Sequence, residues 1–387
     1  MTKGMKKNKK ILVAMSGGVD SSVVAGLLVR AGYDVTGFFA INYDSHDKHN
    51  ISCWRADYQD ALRVCAKLGI KLLRLNFVKE YKKQVLDYMY SEYEKGRTPN
   101  PDVYCNKFVK FGSWLKKAKE LGFDTIATGH YAKVSTVSFL RRQKSRHYSL
   151  LQAKDKNKDQ TYFLHQLNQE QLKHTAFPLG KYNKNEVREL ATKLDLPTAG
   201  KVESMGICFI GEVNMKDFLS QKIKQNKGDM ILSGGEKVGT HDGLAFYTIG
   251  QRIGITSLKI KDTNKKPLFV LAKNIEKNEL VVGYENDPLL YKKEIEIIDM
   301  HFIKGVEPEL PLKCKYRLRH RQELQTGILT CHSNSIVLSL RRQGSKDQNN
   351  KSKIYILKTN KSERAVTPGQ FAVIYKGNKC LGGGIVK

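Results

Sequence analysis

A glycine-serine turn set between a strand and a helix narrows the possible folds more than any other feature. Ile11–Met15 is a short apolar run that reads as a buried strand. Ser16-Gly-Gly-Val-Asp-Ser-Ser22 follows directly, and Val23–Arg30 reads as a helix stopped by Gly32. The alternation continues with a strand over Asp34–Ile41, a helix from Trp54 ended by Gly69, a strand over Ile70–Phe77 and a helix over Lys79–Lys95. A further helix, Phe108–Leu121, precedes a strand over Thr125–Thr128 that ends in Gly129-His130-Tyr131. Such alternation predicts an α/β fold, a doubly wound parallel sheet covered on both faces. Ligands then bind beyond the carboxyl ends of the strands, where Ser16–Ser22 and Gly129 fall.

The pattern changes along the chain. Val134–Gln152 reads as a basic hairpin inserted into the α/β region, and Lys158–Leu167 and Tyr182–Leu194 read as helices. From Val213, glycines cluster between short β-like runs, and from Tyr291 short strands alternate with polar turns. Gly344–Lys353 reads as a polar loop within that last part. We therefore expect an N-terminal domain over 1–212, a small central domain over 213–290 and an all-β, barrel-like domain over 291–387.

The charge is lopsided: 67 Lys and Arg against 38 Asp and Glu give a net charge of +29. Such a field attracts polyanions, and by itself supports even a non-enzymatic RNA-binding protein. No run approaches the roughly 20 apolar residues of a spanning helix, so no membrane is expected. The basic start has no apolar stretch behind it, which makes the cytoplasm the expected compartment. Seven cysteines at wide spacing, with no CxxC pair, argue against a zinc site and a secreted disulfide scaffold, and no metal ligand set is expected. His46-Asp47-Lys48-His49 reads as a solvated loop despite its metal-like spacing, and Cys53, Cys65, Cys331 and Cys380 read as structural.

The turn carries its own chemistry. Gly17 and Gly18 let backbone N–H groups face an anion, serine hydroxyls add donors, and the helix start adds partial positive charge. Asp20 makes sense there if it holds Mg²⁺ or orients the site. No Gly-Lys-Ser/Thr follows, so this is not a Walker loop, and it is not GxGxxG. It resembles the PP-loop of the ATP pyrophosphatase superfamily, whose members cleave ATP between the α and β phosphates and adenylate a substrate oxygen. That superfamily leaves the substrate open, from amidating synthetases to tRNA-modifying enzymes.

Two cysteines narrow it. Thr98-Pro-Asn-Pro-Asp102-Val-Tyr-Cys105 is a proline-stiffened loop, with Asp102 and Cys105 at the approach to a helix starting near Lys107. A thiol at a helix start beside lysines has its thiolate favoured. Cys208 lies between Gly206 and Gly211. Beside an adenylating loop, two thiols can deliver sulfur, one carrying a persulfide and the other resolving it. An amidating or lysidine synthetase would need neither.

At this point the chain resembles the tRNA-specific 2-thiouridylase family over essentially its whole length. The resemblance rests on the turn, Asn100-Pro-Asp-Val-Tyr-Cys105-Asn, Gly129-His-Tyr-Ala132, Lys158-Asp-Gln160, Gly206-Ile-Cys-Phe-Ile-Gly211, Thr248-Ile-Gly-Gln-Arg-Ile-Gly254 and Thr367-Pro-Gly-Gln370. It implies ATP-dependent formation of 2-thiouridine at the wobble position of tRNA. By its pattern Ala14, Met15, Ser16, Gly17, Gly18, Val19, Asp20 and Ser21 cradle ATP, with Ala40 and Gly129 lining the nucleotide pocket. Asn100, Pro101 and Asp102 meet the target base, with Asp102 as general base or orienting acid. Cys105 is the nucleophile and Cys208 the persulfide carrier, and the two form a transient disulfide. His130, Lys158, Asp159, Gln160, Arg317, Leu318 and Gln370 contact tRNA. The implied partners are tRNA and a persulfide sulfur-donor protein, the implied cofactor is ATP with Mg²⁺, and the implied state is a monomer.

One stretch adds an independent expectation. Lys313, Lys315, Arg317, Arg319 and Arg321 alternate with other residues, so a continuous strand would put all five cations on one face. Their spacing of about 6.6 Å matches phosphates along a nucleic-acid strand.

Overall fold

The computed structural model describes residues 9–45, 52–137, 147–202, 206, 208–211, 213–254, 266–332 and 353–387. The His46–His49 motif and most of the polar loop over 344–353 lie outside them. Among the described residues the strands form three sheets.

The first sheet is parallel, in the order β3-β2-β1-β4-β7. It comprises β1 (Lys10–Ala14), β2 (Asp34–Ile41), β3 (Leu72–Asn76), β4 (Thr125–Ala127) and β7 (Thr175–Ala176). Two-residue β7 has no periodicity to read, and the sequence did not suggest it. Helices α1 (Val19–Arg30) and α2 (Arg55–Leu68), with the helix Lys184–Lys193, pack Val23, Leu28, Ala61, Val64 and Val187 on one face. Tyr81, Met89, Val109 and Trp114 cover the other. The sheet is therefore doubly wound, as the alternation implied. The strand order reverses between β1 and β4, which opens a crevice at their carboxyl ends.

The expected helix over Lys158–Leu167 is only one turn, Thr161–Leu164. The expected loop before Phe108 is helix from Pro101 onward. Pro101 takes the first helical position, where its missing N–H costs nothing, and the Asn100 side chain accepts the Val103 N–H at 3.4 Å. Cys105–Ser113 is π-helical, and Trp114–Glu120 returns to α.

The central sheet has the order β10-β11-β8-β9, from β8 (Gly228–Leu232), β9 (Lys237–His241), β10 (Phe269–Asn274) and β11 (Glu279–Gly283). The third sheet is antiparallel. It runs through β12 (Tyr291–Phe302), β15 (Ile354–Arg364), β14 (Gln325–His332), β13 (Leu312–Arg317), β16 (Phe371–Lys376) and β17 (Lys379–Val386), and β12 pairs with β17 to close a barrel. A Cβ on Gly382 would sit 1.9 Å from the His301 carbonyl oxygen, so only glycine lets β17 cross against β12 here. The other end of β17 pairs Lys379 and Cys380 with Leu151 and Leu150 of β6 (His147–Gln152). That strand belongs to the expected hairpin, with β5 (Ala132–Val137). The insertion from the first domain thus extends the sheet of the last.

Candidate functional site

The turn after β1 folds around its serines. Ser21 Oγ accepts the Ser16 N–H at 3.2 Å and meets Ser16 Oγ at 3.1 Å, and Ser22 Oγ donates to the Gly18 carbonyl at 2.8 Å. Gly18 caps α1 without any side-chain hydrogen bond, which leaves donors at the helix start for an anion. Gly17 has φ +74°, and a Cβ there would lie 2.3 Å from the Asp57 carbonyl oxygen of α2. We expect Gly17→Ala to lower stability by ~1–3 kcal/mol, read as a lower urea midpoint at unchanged slope, because backbone and not a movable side chain is in the way. Gly129, beyond β4, faces the turn across the crevice: its Cβ would be 3.1 Å from that of Asp20. The Asp20 carboxylate accepts the Tyr131 hydroxyl at 3.0 Å and the Lys184 ammonium at 2.7 Å.

Lys184 went unnoticed in the sequence. It opens the helix that Asn183 and Glu186 cap reciprocally, and that capping pair was its one legible signal. Nothing local indicates that this helix returns to the first turn of the chain.

The second cluster lies on the opposite face of the sheet, in the core that Ala14 and Ala40 also join. Cys105 and Cys208 pack in this same core, and all seven cysteines are free. Cys208 is pinned by its backbone: its N–H donates to Asp102 Oδ1 at 3.2 Å and its carbonyl accepts the Tyr81 hydroxyl at 2.8 Å. Phe209 sits at φ +71°, with its ring against Tyr81 and Trp114 at 5.8 Å each. That conformation is costly for a bulky residue, and the two aromatic contacts hold it.

The electrostatics reverse one expectation. Cys105 is fully buried one turn inside the helix, and burial pushes its thiol well above the ordinary range. The Cys208 thiol is lowered instead, first by the neighbouring Cys105 thiol and then by the Lys110 ammonium, against its own burial. Burial raises the Asp102 carboxyl, opposed by Lys110 and the Cys208 N–H. Lys110 keeps its charge: burial works against it, but the Cys208 and Cys105 sulfurs and Asp102 outweigh that. The sequence reading missed Lys110. It follows Cys105 by five residues, which separates the two in an α-helix but brings them towards one face in a π-helix with i to i+5 bonding.

Asn100, Pro101 and Asp102 open the helix that leads to Cys105, and the loop before them is a junction of all three sheets' regions. The Thr98 N–H donates to the Pro368 carbonyl at 2.9 Å, and its hydroxyl meets Thr248 Oγ1 at 3.2 Å. Gln370 Nε2 donates to the Thr98 and Pro99 carbonyls at 3.0 and 3.1 Å, while its Oε1 accepts Asn100 Nδ2 at 3.3 Å.

Several residues expected at a tRNA surface are internal. Asp159 is 0% exposed, with Thr161 Oγ1 at 2.7 Å, the Ala153 N–H at 3.0 Å and Arg317 Nη2 at 3.3 Å. Arg317 is 3% exposed and stacks over Tyr375. Leu318 is buried beside it, and His130 lies between Phe111 and Phe177 with Nδ1 at 2.8 Å from Thr128 Oγ1. Burial, with Lys110 nearby, holds His130 neutral. Lys158 and Gln160 are half-buried, and Gln160 Oε1 accepts the Tyr131 N–H at 2.9 Å. The five-cation face is corrected as well: β13 ends at Arg317, which turns inward, so Lys313 and Lys315 alone share the exposed strand face. Arg319, past the end, donates to the Arg364 and Ala365 carbonyls.

Among the described residues no cluster of His, Cys, Asp and Glu could hold a metal ion, and no helix is long and apolar enough to cross a membrane.

Comparison with known proteins matches three family descriptions along the chain. They are a tRNA methyl transferase HUP domain over 9–212, a tRNA methyl transferase PRC-barrel domain over 216–284 and an aminomethyltransferase beta-barrel domain over 292–386. The tRNA-specific 2-thiouridylase MnmA of Staphylococcus saprophyticus is 43% identical over 382 residues, covering 98% of this chain and 95% of that protein. Its Legionella pneumophila counterpart is 44% identical over 380 residues, 98% of each. Among solved structures, a 4-thiouridine synthetase–RNA complex with bound ATP aligns at 18% identity and TM-score 0.32, over 55% of this chain and 50% of that one. With near-complete coverage at this identity, and a PP-loop and paired thiols in one α/β domain, the chain belongs to the tRNA-specific 2-thiouridylase family.

Proposed function

We propose that this protein uses ATP to replace O2 of the tRNA wobble uridine by sulfur, through an adenylate and a Cys208 persulfide. The observation that carries this reading is the convergence of Cys105 and Cys208, from two separate segments, on the one core that Ala14 and Ala40 also join, with the Cys208 N–H held by Asp102.

The turn from Ser16 to Ser21 and the start of α1 supply N–H donors for the phosphates of ATP. Mg²⁺ needs only one or two carboxylates beside phosphate and water, so Asp20 fits as its protein ligand and would then release Lys184 towards phosphate. Bound there, the ion neutralises charge on the pyrophosphate leaving group. Uridine O2 attacks the α-phosphorus and pyrophosphate departs. The base must first leave the anticodon stack, and the rim of Asn100, Pro101 and Asp102 is suited to receive it.

Sulfur then moves in balanced steps. The Cys208 thiolate takes the outer sulfur of a donor persulfide, and the donor leaves as a thiolate. The Cys208 persulfide attacks C2: a C–S bond forms, the C–O bond breaks and AMP departs. Cys105 loses its proton to Asp102, whose raised carboxyl is the better base for it, and attacks Cys208 Sγ. The Cys105–Cys208 bond forms, the bond to the transferred sulfur breaks, and its electron pair goes to that sulfur as 2-thiouridine is completed. An external thiol reduces the disulfide. Methyl transfer, named in two matched family descriptions, calls for no such pair of thiols.

Lys158 and Gln160 retain enough exposure to touch tRNA, and Lys313 and Lys315 add an exposed basic edge. Asp159, Arg317, Leu318, His130 and Gln370 act from beneath, holding the surface and the rim in place.

Nucleoside mass spectrometry of unmodified tRNA incubated with the protein, Mg-ATP and a persulfide sulfur donor tests the reading. We expect 2-thiouridine that appears only with ATP, with AMP released. AMP without thiolation would keep the adenylation and overturn the sulfur step, and neither product would overturn both.

A further inference from the structure

Cys105, Val109 and Trp114, spaced by four and then five residues, all reach the core that Cys208 joins. Residues five apart lie about 140° apart around a regular α-helix, which would not face Val109 and Trp114 the same way. The wider winding of Cys105–Ser113 does, and the Trp114 N–H donates to the Val109 carbonyl five residues back. So uncommon a winding persists where side chains enter the ladder of backbone bonds.

Gln171, in the short helix Gln169–Lys173, enters that ladder twice. Its Nε2 donates to the Lys107 carbonyl at 3.0 Å and to the Phe111 carbonyl at 2.9 Å. In an α-helix the Phe111 N–H would fill the first of these carbonyls. Gln171 Oε1 accepts the Asn168 N–H at 2.9 Å, so both ends of the amide are engaged. The Lys107 side chain is tied from the same stretch. Its Nζ donates to Gln166 Oε1 at 3.0 Å, and Gln166 Nε2 donates to the Gly383 carbonyl of β17 at 2.9 Å.

We propose that Gln171 is a positioning residue for the nucleophile: it holds the helix in its wide form and so faces Cys105 into the core shared with Cys208. What Cys105 does there rests on the sulfur-transfer reading above; what aims the thiol is added here. Without the two donated bonds the segment rewinds as α-helix, a slip of one residue or about 100° between its ends. Trp114 is the end that stays. Its Nε1 donates to Asn42 Oδ1 at 3.1 Å, and its ring meets Phe38 edge-on at 5.2 Å. The Cys105 end, with its small side chain, takes the rotation and turns out of the core.

Two roles of Gln171 can be separated, because its oxygen caps its own helix and its nitrogen serves the other one. Gln171→Glu keeps the oxygen and loses both donors, whereas Gln171→Lys keeps donors and loses the oxygen. The test is the rate of labelling by N-ethylmaleimide in the full chain without tRNA, read cysteine by cysteine by peptide mass spectrometry. Native Cys105, 0% exposed, should label slowly. In Gln171→Glu its rate should rise at least about tenfold, and Gln171→Lys should keep most of the protection. Cys65, buried on the other face of the sheet, should stay protected in both variants. An unchanged Cys105 rate in Gln171→Glu overturns the proposal. So do equal Cys105 rates in the two variants, which would leave only the capping role, and exposure of Cys65 together with Cys105, which would mean general loosening. Should Gln171→Glu fail to fold, Gln171→Met, of similar length and without donors, carries the same reading. Labelling needs no thiolation, so failure of the sulfur-transfer reading itself appears separately, as absence of 2-thiouridine from the native protein.

Discussion

Cys208→Ser protein should form AMP from ATP and tRNA at close to the native rate and yet make no 2-thiouridine, a loss of at least about 10³-fold in sulfur transfer. On the proposed reading adenylation uses the turn after β1 and the crevice beside Gly129, and neither includes Cys208. Serine can keep the backbone links to Asp102 and Tyr81, which the Cys208 N–H and carbonyl make. What it cannot do is carry sulfur. Cys105→Ser should fail differently. Sulfur still loads on Cys208 and still attacks C2, but nothing cleaves the resulting bond, so a protein–tRNA adduct should accumulate. Dithiothreitol should release it as thiolated tRNA. Gel electrophoresis with and without reductant, beside AMP chromatography, separates the two variants. Full thiolation by either would remove the two-cysteine mechanism.

Gln370→Ala should lower kcat by about 10²-fold with tRNA affinity changed less than twofold. Gln370 joins the barrel to the rim through Thr98, Pro99 and Asn100. Its loss frees the loop that receives the base, and displacement of a reacting group by about 1 Å costs on that order. A direct tRNA contact, which the family resemblance implied, predicts the opposite split, with weaker binding and near-native kcat. Filter binding and single-turnover thiolation on one preparation decide between them.

The sequence was most legible where structure is local. The turn at Ser16–Ser22 is a strand end, a glycine pair and a helix start in succession, and the hydrophobic period reveals all three. Cys105 and Asp102 were found by the company they keep, but their surroundings were not. Thiol burial depends on Tyr81, Val109 and Trp114 arriving from separate segments, and a π-helix has no sequence period by which to recognise it. Arg317 misled for a related reason. Alternation shows on which face a cation would lie in a continuing strand, but not that the strand ends there or that a buried Asp159 waits beneath. Charges look like surface in a sequence, and only the fold reveals which have found each other.

The pairing of β6 with β17 bears on how the molecule is made. Leu150 leaves the ribosome long before Cys380, by about 10–50 s at ordinary rates of synthesis. Until then that edge of β6 has no strand to complete it. A chain lacking β17 would therefore leave the β6 edge open, a site for aggregation and proteolysis. The stitch between the first and third sheets thus makes part of the N-terminal region wait, during synthesis, on a strand about 230 residues downstream.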